Sequence, residues 1–400
     1  MPISDVDRMK IDELRNLVKE HLTPYYDTDF NLLRWLKGHD YNLELIKPKL
    51  INHLMFRKFN WNLDNLPDTP RDHPIHKYWK RGITGKAIKT PNCIVNIEQS
   101  GENDYWGMMK TYSINEILKA RLHDLESMLR AIMEYEKEIG GLASISAFMA
   151  EHYVEMVHSF VLVNVPSFIS AIWFGGGGGR RSDNEGKKKT DFRCRTVARP
   201  LLPEKTRHKV NILGSNWKEE ILKIADAKCL PTYWNNEGEE GPFLAPVERS
   251  MNYPVSGYYN GEIPTNAKTI QISAGKIGYV DIEAKQNKRI TWEIHSNGHF
   301  AWTIYELNVG NQTDDLSQMK NIYPYFSPLN LLPIFSKLSK KSFFIDFFPL
   351  LQKIPGPTMV PMKDSVTVPN TGIYRFWFSN HHAWFHTLRI DYVIEVIDGP

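Results

Sequence analysis

Cysteine is nearly absent: the 400 residues hold three, Cys93, Cys194 and Cys229, and none forms a Cys-x-x-Cys pair. That excludes a disulfide scaffold, leaves nothing spaced to seat zinc, and points to a reduced, cytoplasmic protein. No stretch approaches the roughly 18 apolar residues that a membrane helix needs, so any contact with bilayers is expected to be peripheral. Residues 1–22 mix acidic and basic side chains and lack the apolar core of a secretory signal. Charge of one sign is missing too: 49 basic against 46 acidic residues leave a formal net charge of +3, which excludes a globally basic nucleic-acid binder. The common hydrolase signatures, Gly-x-Ser-x-Gly and His-Glu-x-x-His, do not occur. The glycine run at 175–179 is no phosphate loop, because the nearby Gly186-Lys187 is followed by Lys188 rather than Ser or Thr. His381, His382 and His386 have no carboxylate spaced to complete a metal shell and read as turn and packing residues. The expectation is a protein without catalytic residues, metal or cofactor.

What is present is ordinary globular composition, 42% hydrophobic and 12% aromatic, in a chain long enough for two or three domains. Ser4 and Asp7 precede Ile11, Leu14, Leu17 and Val18, and Thr28 precedes Leu32, Leu33, Trp35 and Leu36; a cap followed by helical spacing predicts a helical unit over 1–70. After a proline-punctuated stretch the pattern alternates over 74–237. It has an apolar strand at 93–97, a long helix over 114–139, a helical piece near 148–157 and a strand at 160–165. That alternation argues for an α/β layer on a largely parallel sheet. Gly, Pro and Glu mark a linker at 238–252, and beyond it the period falls to two. Along 386–396 the even positions His386, Leu388, Ile390, Tyr392, Ile394 and Val396 alternate with Thr387, Arg389, Asp391 and Glu395. Tyr374, Phe376 and Phe378 repeat the pattern, as do Phe300, Trp302 and Ile304. Separated by turns at 296–298 and 369–372, these strands predict an all-β sandwich over 253–398. The fold class is therefore multidomain: a helical unit, an α/β domain and an all-β domain.

Three passages carry a resemblance. Leu32 to Leu36, in Asn-Leu-Leu-Arg-Trp-Leu-Lys, resembles the amino-terminal helical signature of CRAL-TRIO lipid-transfer proteins. Val-Leu-Val-Asn-Val-Pro at 161–166, Leu-Gly-Ser-Asn-Trp at 213–217 and Leu230-Pro231 resemble the second half of that fold. Residues 253–398, with Trp302 to Tyr305 and the closing strand, resemble a GOLD domain. The domain order is similar to the animal branch that includes the supernatant protein factor and tocopherol-associated proteins. The resemblance implies a lipid carrier whose pocket lies between a sheet and a mobile helical lid, not an enzyme. Pocket and lid positions would be Phe160, Leu162, Phe168, Ile169, Ile172, Trp173, Phe174, Leu201 and Leu202. The apolar stripe of Phe168, Ile169, Ile172, Trp173 and Phe174 must face either core or acyl chains, and its spacing alone does not separate the two. Matching the phosphatidylinositol-binding members, Glu155, Thr206 and Lys209 would hold a headgroup: the lysine as a point charge for phosphate, the threonine as a hydroxyl donor, the glutamate as an acceptor. The ligand classes implied are a phosphatidylinositol-like phospholipid, tocopherol or another isoprenoid. The GOLD part would engage proteins or membranes of the secretory pathway, with peripheral residence on the Golgi.

The chain departs from this pattern in three places. Around 142–147 a central strand is expected to be missing, which would leave neighbouring backbone groups unpaired at about 1–3 kcal/mol each. Residues 175–199 are extra, and the stretch 175–209 holds eleven basic against four acidic residues, a surplus suited to anionic headgroups. Residues 323–351 interrupt the β-domain with apolar clusters split by Lys337, Lys340 and Lys341. The clean edges of all three point to misjoined coding segments, which sequencing the transcript tests. The rival to a carrier is an adaptor with a degenerate pocket that acts through its β-domain; basic charge without interleaved aromatics argues against a nucleic-acid partner.

Overall fold

The computed structural model describes residues 3–59, 61–145, 156–164, 209–307, 320–323, 354–355 and 359–398. The described helices are α1 (Asp5–Val18), α2 (Asp29–Gly38), α3 (Leu43–Phe59), α4 (Ile75–Tyr78), α5 (Tyr105–Thr111), α6 (Ile114–Ile139) and α7 (Trp217–Ile224). The strands of the first half are β1 (Arg81–Lys86), β2 (Cys93–Glu98), β3 (Ser144–Ile145), β4 (Phe160–Leu162) and β5 (Val210–Ile212). Those of the second half are β6 (Lys268–Ile272), β7 (Ile277–Ala284), β8 (Arg289–Ser296), β9 (Ala301–Leu307), β10 (Lys320–Tyr323), β11 (Ile354–Pro355), β12 (Met362–Thr367), β13 (Gly372–Ser379) and β14 (Leu388–Ile397). Two compact units result, one from Ile3–Arg81, Glu98–Arg130 and Glu248–Pro400, the other from Gly82–Ile97 and Ala131–Val247.

In the first unit the predicted caps form. The Ser4 hydroxyl accepts from Asp7 N at 3.1 Å and that of Thr28 from Asn31 N at 3.1 Å, satisfying amide groups that a helix start leaves open. Ile11, Leu14 and Val18 of α1 and Leu32, Leu33, Trp35 and Leu36 of α2 are buried, as their 3–4 spacing requires, whereas Leu17, expected on the same stripe, is exposed at its edge. Beneath them Arg57 of α3 is fully buried. Its Nη1 and Nη2 donate to the two carboxylate oxygens of Glu126 on α6 at 2.7 and 2.8 Å, its Nε donates to Asp64 at 2.8 Å, and its guanidinium lies 4.6 Å from the Tyr26 ring centroid. Those carboxylates hold the Arg57 guanidinium firmly protonated. Part of the expected linker is fixed rather than free: Ser250 Oγ accepts from Lys80 N at 3.0 Å, and Tyr253 is buried against Tyr78 and Tyr112.

The β-region of this unit is sandwich-like, with one sheet in the order β12-β8-β14-β6 and the other in the order β10-β9-β13-β7, all antiparallel. Between them Trp292, Trp302, Tyr374, Phe376 and Phe378 are buried, Trp292 meeting Trp302 edge-on at 5.7 Å and Trp302 stacking on Phe376 at 6.2 Å. Three positions break the expected alternation: His386 and Val396, expected on the buried face, lie at the two ends of the stretch and are exposed, and Asp391 departs in the opposite sense. Asp391, assigned by period to the exposed face, is buried, because its carboxylate accepts from Thr269 Oγ1 at 2.5 Å and from Arg389. Strands β10 and β11 both pair with β9: Tyr323 opposes Ile304, and Ile354 opposes Trp302. They are two lengths of one edge strand, and residues 324–353 enter between them. Residues 308–319 and 324–353 otherwise lie outside the described part.

The second unit carries the parallel pairs β2-β3 and β4-β5. Cys93, Val95 and Ile97 of β2 pack with Ile221, Cys229, Leu230 and Phe243, and Val161, Val163 and Trp217 close over this core. Gly85, at φ +150°, is required there: a Cβ would lie 2.8 Å from Cys229 Sγ. The expected break at 142–147 takes a different form. Ser144 and Ile145 make a two-residue strand against Cys93 and Ile94, and Ile145 N–H donates to Met156 O at 2.7 Å while its carbonyl accepts from His158 N at 2.8 Å. The backbone groups of Ile145 are therefore bonded, and the segment leading into β4 pairs with it through Val157; residues 146 and 147 lie outside the described residues.

Candidate functional site

Alternation along β4 and β5 sorts their side chains onto two faces. Val161 and Val163 join the buried core, whereas Phe160 and Leu162 point the other way and stay half-buried. In register, Phe160 opposes Val210 and Leu162 opposes Ile212, which are half-buried as well. Parallel partners share a face, so Phe160, Leu162, Val210 and Ile212 form one apolar patch turned away from the core. Ile94 and Ile145, also opposite each other, are fully buried, and Asn96 lies two residues beyond Ile94 on the same side. Asn96 Oδ1 is buried without a hydrogen-bond partner among the described residues. An acceptor left open on an apolar sheet face costs about 1–3 kcal/mol unless a hydroxyl or amide reaches it.

Lys209 stands at the amino-terminal end of this patch. Its carbonyl accepts from Phe160 N at 2.7 Å, which starts the β4-β5 ladder, and its Nζ donates to Val157 O at 3.0 Å. The ammonium thus lies over the turn that leads into β4. Glu155 and Thr206 lie outside the described residues, as do Phe168, Ile169, Ile172, Trp173, Phe174, Leu201 and Leu202. Of the positions expected from the resemblance, the described structure brings together Phe160, Leu162 and Lys209. It adds Val210 and Ile212, while Asn96 lies on β2 in the separate three-stranded sheet β1-β2-β3. The first two were signalled by the alternation Val210-Asn211-Ile212, and Asn96 by a polar residue inside an apolar strand.

The Cys93 thiol is pushed up to about 11 by burial, and Cys229 is raised by burial and then by Asp226, so neither supplies a ready thiolate. Cys229 Sγ instead donates to Lys86 O at 3.1 Å. Among the described residues no group of three His, Cys, Asp or Glu side chains is placed to hold a metal ion, and no helix is long and apolar enough to cross a membrane.

Comparison with known proteins bears on this sheet. A family model described as a domain of unknown function (DUF8435) matches residues 3–66. A CRAL-TRIO domain-containing protein of Caenorhabditis elegans is 24% identical over 351 residues, which cover 78% of this chain and 79% of that protein. The chain is similar to CRAL-TRIO domain proteins. Protein ctg-1 of the same organism is 19% identical over 431 residues, covering 99% of this chain and 97% of that protein. Among solved structures, that of Sfh5 matches at a TM-score of 0.39 with 11% identity, over 62% of this chain and 95% of that one. The CRAL-TRIO resemblance read from Trp35, Val161 to Pro166 and Leu213 to Trp217 is supported by the first of these relatives.

Proposed function

We propose that the chain binds one hydrophobic lipid and transfers or presents it at membranes without performing chemistry on it. The observation that carries this reading is the patch of Phe160, Leu162, Val210 and Ile212: four apolar side chains on the sheet face opposite the packed core, with a cation at Lys209. An acyl or isoprenoid chain is the matching occupant for such a wall, and Lys209 suits a phosphate at its edge. The similarity to a CRAL-TRIO protein supports the same reading. In this proposal the lid comes from residues 168–174 and 201–202, and Glu155 and Thr206 complete the headgroup site with Lys209. The β-sandwich acts as a GOLD domain that engages proteins or membranes of the secretory pathway. The protein works in the cytoplasm and visits membranes such as the Golgi peripherally.

Mass spectrometry of lipids extracted from the purified full-length protein tests the reading. A near-stoichiometric phospholipid or isoprenoid is expected. Its absence from soluble, monodisperse protein would transfer the function to the β-sandwich as an adaptor. For the headgroup role, Lys209→Ala should reduce phosphatidylinositol transfer and spare tocopherol; equal loss of both would remove Lys209 from the site.

A further inference from the structure

Exposed apolar side chains are ordinary when scattered singly, whereas adjacent exposed rings form a patch of the kind that marks a contact surface. In the β13–β14 loop, residues 380–387, Trp384 is 86% exposed and Phe385 94% exposed, the two most exposed large hydrophobic side chains of the described structure. They are not at a loose end. Asn380, fully buried, ties both ends of the loop: its Nδ2 donates to Ile272 O at 3.0 Å and to His386 O at 2.9 Å. Its backbone N–H donates to Lys276 O at 2.9 Å and its carbonyl accepts from Gly275 N at 3.0 Å. The loop is thereby clamped to the β6–β7 turn and presents two adjacent rings outward from a fixed base.

In the three turns nearest the rings the charge is one-sided. The β6–β7 turn (273–276), the β8–β9 turn (297–300) and the β13–β14 loop contain no Asp or Glu. They contain Lys276, which is exposed, and His299, His381, His382 and His386, which carry no negative charge in either protonation state. We propose that this end of the sandwich is a membrane-docking tip, Trp384 and Phe385 entering the interface of an anionic bilayer while Lys276 meets its headgroups. A lipid surface fits better than a protein for a reason of size. A stable protein interface needs about 800 Å² from each partner, with apolar neighbours around its anchors. Here the residues flanking the two rings, His381, His382, His386 and Thr387, are polar and exposed. Two rings on a polar stalk need only depth, and tryptophan is the side chain that favours the level of the headgroups. The inference rests on the lipid-handling reading above and deepens it by naming the segment that touches the membrane.

The test is sedimentation of the full-length protein with phosphatidylcholine vesicles, with and without phosphatidylserine, alongside lipid extraction from the same preparations. Because both rings lie in water, Trp384→Ala/Phe385→Ala should fold normally and bind phosphatidylserine-containing vesicles about 100-fold more weakly, roughly tenfold for each ring withdrawn from the interface. Lys276→Ala should weaken binding to those vesicles about fivefold and leave binding to pure phosphatidylcholine unchanged. Equal vesicle binding by wild type and double variant overturns the docking tip, whatever lipid the protein carries. A wild type without extractable lipid, whose vesicle binding is nevertheless lost in the double variant, overturns the cargo reading and sustains the tip.

Discussion

Glu126→Ala should loosen the helical part of the first unit more than any surface change, and its size can be worked from the geometry. Arg57 and Glu126 are 69 residues apart, both side chains are fully buried, and they meet through two parallel hydrogen bonds. Removing the carboxylate leaves a buried guanidinium with Asp64 as its remaining anionic contact. Breaking one partner of a buried pair costs about 3–5 kcal/mol. Glu126→Gln should fall at the lower end of that range, since the amide oxygen still accepts one bond, and Glu126→Ala at the upper end. At the lower figure the local opening constant rises by about 150-fold. Hydrogen-exchange mass spectrometry of peptides from α2 and α3 reads this directly. A double variant, Arg57→Met/Glu126→Leu, should recover most of the protection, because an apolar pair of similar volume dispenses with the desolvation of two charges. A rise of less than tenfold for Glu126→Ala would refute the view that this pair holds α3 to α6.

Replacing residues 324–353 by a single residue should leave the sandwich folded, because Tyr323 and Ile354 oppose Ile304 and Trp302, and one residue opposite Thr303 keeps the register. Shortening a connection by roughly thirty residues should raise stability by about 2 kcal/mol in chain-closure entropy, read as a higher urea midpoint; loss of the folded β-sandwich would show that the stretch belongs to the domain. His76 gives a pH dependence. Burial, followed by the charges of Arg71 and Arg81 and by His123, lowers it from 6.5 to about 3, so the folded protein keeps it neutral while the unfolded chain protonates. Its contribution to stability is complete above pH 6.5 and is lost as pH falls from there toward 3. His76→Asn should flatten the fall of the urea midpoint across that window, leaving the residual slope of His123, which is shifted in the same direction; an unchanged slope would place the titration elsewhere.

Local signals carried much of this architecture. Ser4 and Thr28 announced their helices because a cap and its amide lie three residues apart, and Tyr374, Phe376 and Phe378 announced a strand because a pleat repeats every two. What was illegible depends on partners distant in the chain. Asp391 is buried because Thr269, on the neighbouring strand, reaches it, and no period along β14 encodes that. Two residues, Ser144 and Ile145, are too few to show any period, so the strand that links β2 to the approach to β4 leaves no pattern in the sequence. The candidate site divides along the same line. Phe160 and Leu162 follow from alternation, Lys209 from resemblance, while the open Asn96 acceptor, on the separate sheet β1-β2-β3, exists only once β2 is seated there.

The split edge strand has a consequence for how this chain tolerates change. Since Ile304 secures one half and Trp302 the other, sequence can be admitted between them without altering the register of β9 or the stack of Trp302 on Phe376. Such a seam is a natural port: a fluorescent reporter domain grafted there, or new chain ends opened there by circular permutation, would sit at the margin of the β-sandwich with its aromatic stack left whole.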